Sequence, residues 1–277
     1  LGLKIWEALI YGLVAGLTGL LPVSFSGHAA VLQDAFALSP LTQGGGLYVR
    51  AAITLGLSAA LVLAFPGELQ LTCGELARRP QRGKRARQPS PRRRAVLMGL
   101  LALPIGLLSL IWCAAAERIT RLSLIAAFFC LNGLILFAAG RPGGQKDARA
   151  LMLPDALLAG ATRLAAVLPG LSPLGLTLAV CRLRDLRMDF ALRFTAMLTL
   201  GFSLCEFVYR LLRAVVVGAF SASLWLPMLV ALVASTVAGY FALQYLKYLL
   251  HREKLRVFSY YCWDAAVIAL ILALINA

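Results

Sequence analysis

Six stretches of this chain are each long and apolar enough to cross a lipid bilayer, and that number decides its class. A crossing helix needs about 20 apolar residues. Residues 47–66, 95–113, 122–139, 190–212, 224–249 and 258–276 each come close. Of 277 residues, 61% are hydrophobic and 14% charged, where a soluble domain carries roughly a quarter charged. One soluble core has no use for so much apolar surface, so lipid must be its solvent. The expectation is an all-α polytopic membrane protein, a single integral membrane domain over residues 1–277. The first residues do not read as a cleavable signal peptide.

Charge then sets the topology. The net charge is +15, and nine of the 27 Lys and Arg fall between Arg78 and Arg94. A basic loop between apolar spans is the positive-inside signature, so this excess speaks for topology and anionic lipid rather than nucleic acid. Residues 73–94, 141–149, 182–187 and 247–256 hold most of the basic residues and are placed in the cytoplasm. The six cysteines form no CxxC pair and read as small packing residues.

Two further apolar regions cannot be simple spans. Residues 5–37 contain Gly16, Gly19, Pro22 and Gly27; residues 151–181 contain Gly160, Pro169, Gly170, Pro173 and Gly175. Each is two short apolar arms around a Pro/Gly/Ser break, which suits a re-entrant hairpin. The breaks resemble each other: Ala15-Gly16-Leu17-Thr18 followed by Leu21-Pro22, Ser24 and Gly27, against Ala159-Gly160-Ala161-Thr162 followed by Leu168-Pro169, Ser172 and Gly175. Three spans follow each break. Six spans plus two hairpins give half-repeats 1–140 and 150–277 of opposite orientation, an inverted repeat with its binding site at the broken helices.

The first break carries the chemistry. Ser24 or Ser26 can cap the second arm, and Gly27 lets backbone approach a ligand. A fresh helix N-terminus there is a phosphate cradle. His28 is one of two histidines, and an ionisable residue at membrane depth is a functional candidate, though it could equally satisfy a carbonyl. Thr18, on the arm before the break, is expected to bind substrate together with Gly27, and with Gly170, Ser172 and Thr177 at the second break. At the second break Gly170, Ser172 and Thr177 offer a helix start and hydroxyls but no charge. Glu206 and Arg210, at i and i+4, read as a self-paired duo near a helix end. Asp185 and Asp189 among Arg182, Arg184, Arg187 and Arg193 read as a solvated turn. Tyr240, Tyr245, Tyr248, Tyr260, Tyr261 and Trp263 read as an aromatic belt.

The segment from Gly12 to His28, GLVAGLTGLLPVSFSGH, resembles the first motif of the undecaprenyl-diphosphate phosphatases, the bacitracin-resistance membrane phosphatases. Leu168-Pro169-Gly170-Leu171-Ser172 with Gly175 and Thr177 is similar to the second motif. Later runs, Phe194–Leu198 and Ala238–Leu243 through Phe258–Tyr261, extend the resemblance over nearly the whole chain. It implies six spans plus two re-entrant hairpins and residence in the bacterial cytoplasmic membrane. It also implies removal of the terminal phosphate from a C55 isoprenoid diphosphate, recycling the carrier of cell-wall synthesis. By the same resemblance Ser24, Ser26 and His28 are catalytic candidates, a membrane lipid is the partner, and a homodimer is left open.

The sequence departs from the family pattern where chemistry is concentrated. The resemblance puts two acids at Ala15 and Gly19, an arginine at Pro173, a further acid at Arg50 and a glutamine at Arg163. The family implies a divalent cation such as Mg²⁺ or Ca²⁺, which wants carboxylate oxygens. This sequence gives no reason to expect one, and no metal-ligating residues are assigned. Arg50 and Arg163 are instead expected on the substrate, since guanidinium holds phosphate oxygens two at a time. Three readings stay open: a phosphatase with an altered site, a non-catalytic binder or flippase of isoprenoid phosphate, and an unrelated small-molecule transporter, which the resemblance outweighs.

Overall fold

The computed structural model describes residues 3–67, 74–75, 90–218 and 220–276. The expected basic loop 73–94 lies almost wholly outside them. Among the described residues the chain is all-α. It runs α1 (Ile5–Gly19), α2 (Phe25–Phe36), α3 (Gly46–Ala64), α4 (Pro91–Leu107), α5 (Ser109–Ala116) and α6 (Leu122–Ala139). The second half runs α7 (Leu153–Ala166), α8 (Pro173–Leu183), α9 (Met188–Val217), α10 (Trp225–His251) and α11 (Val257–Ile275).

Helices α3, α6, α10 and α11 are long and apolar enough to cross a membrane, and α4 with α5 makes a fifth span bent by 42°. Pro104 lies inside α4; its missing N–H and its ring weaken the helix there. The sixth expected span is α9. Its 30 residues make about 45 Å of helix, less apolar than the rest because it carries Glu206, Arg210 and Arg213. The chain is therefore a multi-pass membrane protein.

Both expected breaks are present. Helix α1 stops at Gly19 and α2 starts at Phe25, with Ser24 as its N-cap. Helix α7 stops at Ala166 and α8 starts at Pro173, with Ser172 as its N-cap. Each serine hydroxyl accepts from the backbone N–H three residues on: Gly27 N to Ser24 Oγ at 3.4 Å and Gly175 N to Ser172 Oγ at 3.0 Å. That is the capping chemistry the Ser-x-x-Gly spacing announces.

Small residues let the arms lie close to their neighbours, as lipid-embedded interfaces favour. A Cβ on Gly16 would stand 2.5 Å from Ala238 Cβ and 2.7 Å from Gly239 N. A Cβ on Gly160 would stand 2.4 Å from Ala102 O. Thus α1 lies on α10 and α7 lies on α4. Exchanging the two halves maps the first contact onto the second. It also maps α3–α10 onto α9–α4, and returns α3–α9 and α6–α11 to themselves, and all of these pairs are in contact.

The basic loops 141–149 and 182–187 come together at one end of the bundle. Lys146 bridges Leu186, and Gln145 N and Lys146 N donate to Asp185 O. Arg182, expected in a solvated turn, is buried, its Nη1 donating to Leu186 O and its Nη2 to Arg141 O. The difference is physical: a long arginine stem packs while its head satisfies loop carbonyls. Asp189 stays exposed as expected, 3.6 Å from His251.

Candidate active site

The two breaks meet. Gly170 N donates to Ser24 Oγ at 3.1 Å, and Ser172 Oγ donates to Leu21 O at 3.3 Å. Gly170 has φ of +106°, a conformation that favours glycine. A Cβ on Gly27 would stand 2.9 Å from Gly170 Cα, so the crossing requires glycine on both sides. Ser24 itself has φ of +68°, which costs a non-glycine residue roughly 1–2 kcal/mol. The two hydrogen bonds its hydroxyl accepts hold it there.

Asn132, in the middle of α6, locks this junction. Its Oδ1 accepts from Ser172 N at 3.0 Å and its Nδ2 donates to Pro22 O at 2.9 Å. One fully buried amide thus serves a freed backbone group from each break. Sequence reading passed over it, although a lone asparagine in the run Leu122–Ala139 was the available signal.

Beside the junction lies a cavity of about 110 Å³. Gly19 and Ser26 reach it from the first hairpin, Arg163 and Pro173 from the second, and Arg50 from α3. Four of the five departures from the family pattern, Gly19, Arg50, Arg163 and Pro173, therefore line one space. The fifth, Ala15, is fully buried. Glu117, Glu206 and Arg210 complete the charged wall.

These charges form one network. Arg163 Nη2 donates to Glu206 Oε2 at 2.7 Å. Arg210 grips Glu206 Oε1 through Nε at 3.0 Å and Nη2 at 2.6 Å, and reaches Glu117 Oε1 through Nη1 at 2.6 Å. Glu117 also pairs with Arg50 at 3.4 Å and with Arg213. The Glu206–Arg210 duo expected from spacing exists, but it sits within α9, not at its end, and it belongs to this larger set. Glu117 falls between the expected spans 95–113 and 122–139, and no local pattern singles it out. Its partner Arg210 lies 93 residues away, and no periodicity announces such a contact.

His28 faces elsewhere. Its Nδ1 lies 2.7 Å from Ser24 O and its Nε2 lies 2.9 Å from Tyr261 Oη. Its ring stacks on Tyr261 and meets the edge of Phe129. Ser26 lines the cavity; Ser24, Gly27, His28, Gly170, Ser172, Thr18 and Thr177 do not. Thr18 donates to Val14 O, and Thr177 to Pro173 O with Thr162 alongside. The structure thus lines one cavity with Arg50, Arg163 and Ser26, places Ser24, Gly27, Gly170 and Ser172 at the junction, and leaves Thr18 and Thr177 bonded within their own hairpins. Tyr261, expected in the aromatic belt, is the partner of His28.

The wall does not fit a divalent cation. Both of its carboxylates are held by guanidinium groups, and an entering cation would meet Arg50, Arg163 and Arg210. A hard cation takes several free oxygens. Among the described residues no group of three or more His, Cys, Asp or Glu comes together that could hold a metal.

The model of the bacitracin resistance protein BacA family matches residues 8–268. The chain belongs to this family. It is 32% identical over 270 residues to an undecaprenyl-diphosphatase of Carboxydothermus hydrogenoformans, covering 96% of this chain and 97% of the relative. It is 30% identical to proteins of that name from Methanobrevibacter smithii, covering 96% of each chain, and from Rubrobacter xylanophilus, covering 98% of this chain and all of the relative. The family match extends through both hairpins and all the helices that build the cavity.

Proposed function

We propose that this chain is an isoprenoid-diphosphate phosphatase that holds its substrate's headgroup in the cavity beside Ser26. The observation that carries the reading is that Ser26, Arg50 and Arg163 line one cavity beside the meeting of two broken helices. The full-length similarity to undecaprenyl-diphosphatases supports the substrate class. In this reading the protein lies in the cytoplasmic membrane and consumes an undecaprenyl or similar isoprenoid diphosphate from its outer leaflet. The half-repeats 1–140 and 150–277 form an inverted pair around the site.

The chemistry asks little covalent help from the protein, because phosphoryl transfer is catalysed mainly by positioning and by charge. Ser26 Oγ attacks the terminal phosphorus. The bond from that phosphorus to the bridging oxygen breaks, and isoprenyl monophosphate leaves, taking the Ser26 proton. Water then frees inorganic phosphate from the serine and restores its hydroxyl. Arg50 and Arg163 offset the growing negative charge.

Phosphate release from a C55 diphosphate by the purified protein tests this. Ser26→Ala should reduce release to the level without protein, and Arg163→Gln should lower it by about 10²–10³-fold. Saturable binding with no release would leave the second reading, a non-catalytic isoprenoid-phosphate binder. One observation favours that alternative: both ring nitrogens of His28 are engaged away from the cavity, so no imidazole contacts Ser26.

A further inference from the structure

The cavity holds more organised charge than a binding site for a neutral group would need. Its network is also unevenly tied. Arg210 is held at three points, by Glu206 through two nitrogens and by Glu117 through the third. Arg163 is held at one, through Nη2 to Glu206, with its guanidinium 5.1 Å from the centre of the Phe202 ring. Glu206 is the more exposed of the two carboxylates, its side chain 22% exposed against 5% for Glu117.

Consider what happens if the Arg163–Glu206 contact opens. Glu206 keeps both contacts with Arg210. Arg210 keeps Glu117, and Glu117 keeps Arg50 and Arg213. No carboxylate is stranded, which matters because an unpaired buried charge is severely penalised. One guanidinium alone is released, into the cavity that Ser26 also lines and with most of its five donors open. It requires an anion, and phosphate offers paired oxygens in the geometry the fork matches. Phosphate also carries more charge than the carboxylate it displaces.

We propose that Glu206 is a placeholder for phosphate: an entering phosphate group takes over its contact with Arg163, and the cavity binds diphosphate through guanidinium groups without a divalent cation. This rests on the reading that the cavity receives a diphosphate headgroup. The shared chemistry is a diphosphate, whether inorganic pyrophosphate or the head of an isoprenyl lipid. Arg210 is the strut that keeps Glu206 from following Arg163, and Glu117 anchors that strut.

The test is calorimetric titration of the purified full chain in detergent, in the presence of chelator, with inorganic pyrophosphate and with a short-chain isoprenyl diphosphate. Both should bind. Glu206→Gln should tighten pyrophosphate binding by about three- to tenfold, Arg163→Gln should weaken it by about tenfold or more, and Arg163→Lys should recover part of the loss. Weaker binding in Glu206→Gln overturns the placeholder. If Glu206→Gln does not fold, Arg163→Gln decides: binding equal to the unaltered protein overturns the proposal. Binding that chelator abolishes and Mg²⁺ restores also overturns it. If pyrophosphate binds as described but the isoprenyl diphosphate binds no tighter, the placeholder stands and the lipid reading fails. If neither binds, both fall.

Discussion

Asn132 shows how much one side chain does at this junction. Its amide serves Ser172 N and Pro22 O at once, and Asn132, Ser172 and Pro22 are all buried. Each buried group left without a partner costs about 1–3 kcal/mol. Asn132→Leu should therefore lower stability by roughly 2–6 kcal/mol, read as a large fall in thermal midpoint in detergent. A midpoint within a degree or two of the unaltered protein would mean that the breaks do not depend on this bridge. His28 makes a different case. Ser26 and His28 are two residues apart on α2, which turns about 200° between them, so they point to opposite sides. The spacing alone therefore separates the hydroxyl in the cavity from the imidazole on Tyr261. If His28 only braces the first turn of α2 through Ser24 O, His28→Gln should reduce phosphate release modestly and leave its pH profile unchanged. Loss of about 10²–10⁴-fold with a lost ionisation would instead make it a base.

At the scale of elements, the sequence was readable where the signal is local. Pro22, Pro169 and Pro173 with their flanking glycines and serines marked both breaks, and the apolar runs marked α3, α6, α10 and α11 almost to the residue. Spacing narrowed the cap of α2 to Ser24 or Ser26, and the structure shows Ser24. What was not readable is what depends on pairing across the chain: the Glu117–Arg210 bridge, Asn132 on both breaks, Tyr261 on His28. Hydropathy gives an element's length and one buried face; it does not say which element lies opposite. Glycine sits between these cases, visible in the sequence but silent about its neighbour. Gly27 and Gly170 are in contact at the junction, and Gly16 lies on Ala238 and Gly239. Gly27→Val should part the two hairpins, because its side chain would enter the space of Gly170 Cα and the Phe129 ring. We expect a destabilised protein that has lost diphosphate binding. Gly74, with open space around its Cβ position, should accept the same change without effect.

For the whole molecule, the question is which end of the bundle carries the cavity. The loops around Arg141, Lys146, Asp185 and Arg256 gather at one end: Gly140 lies on Arg256, and Arg187 N donates to Lys146 O. Arg50 lies one turn into α3, Glu117 caps α5, and Arg210 is two turns from the end of α9. Each belongs to the opposite end of its span from those basic loops, together with the packed cluster of Leu47, Tyr48, Ala214 and Leu224. If positive charge marks the cytoplasm, the charged cavity faces outward, where a lipid diphosphate left by an external transfer reaction would present its headgroup. Single cysteines in a chain otherwise free of them test this in intact cells. A membrane-impermeant maleimide should label a cysteine at Ser223, beside Leu224, and should label one at Gln145 or Lys254 only after the membrane is opened. The reverse pattern would turn the cavity toward the cytoplasm, and the substrate would then have to be a diphosphate of the inner leaflet.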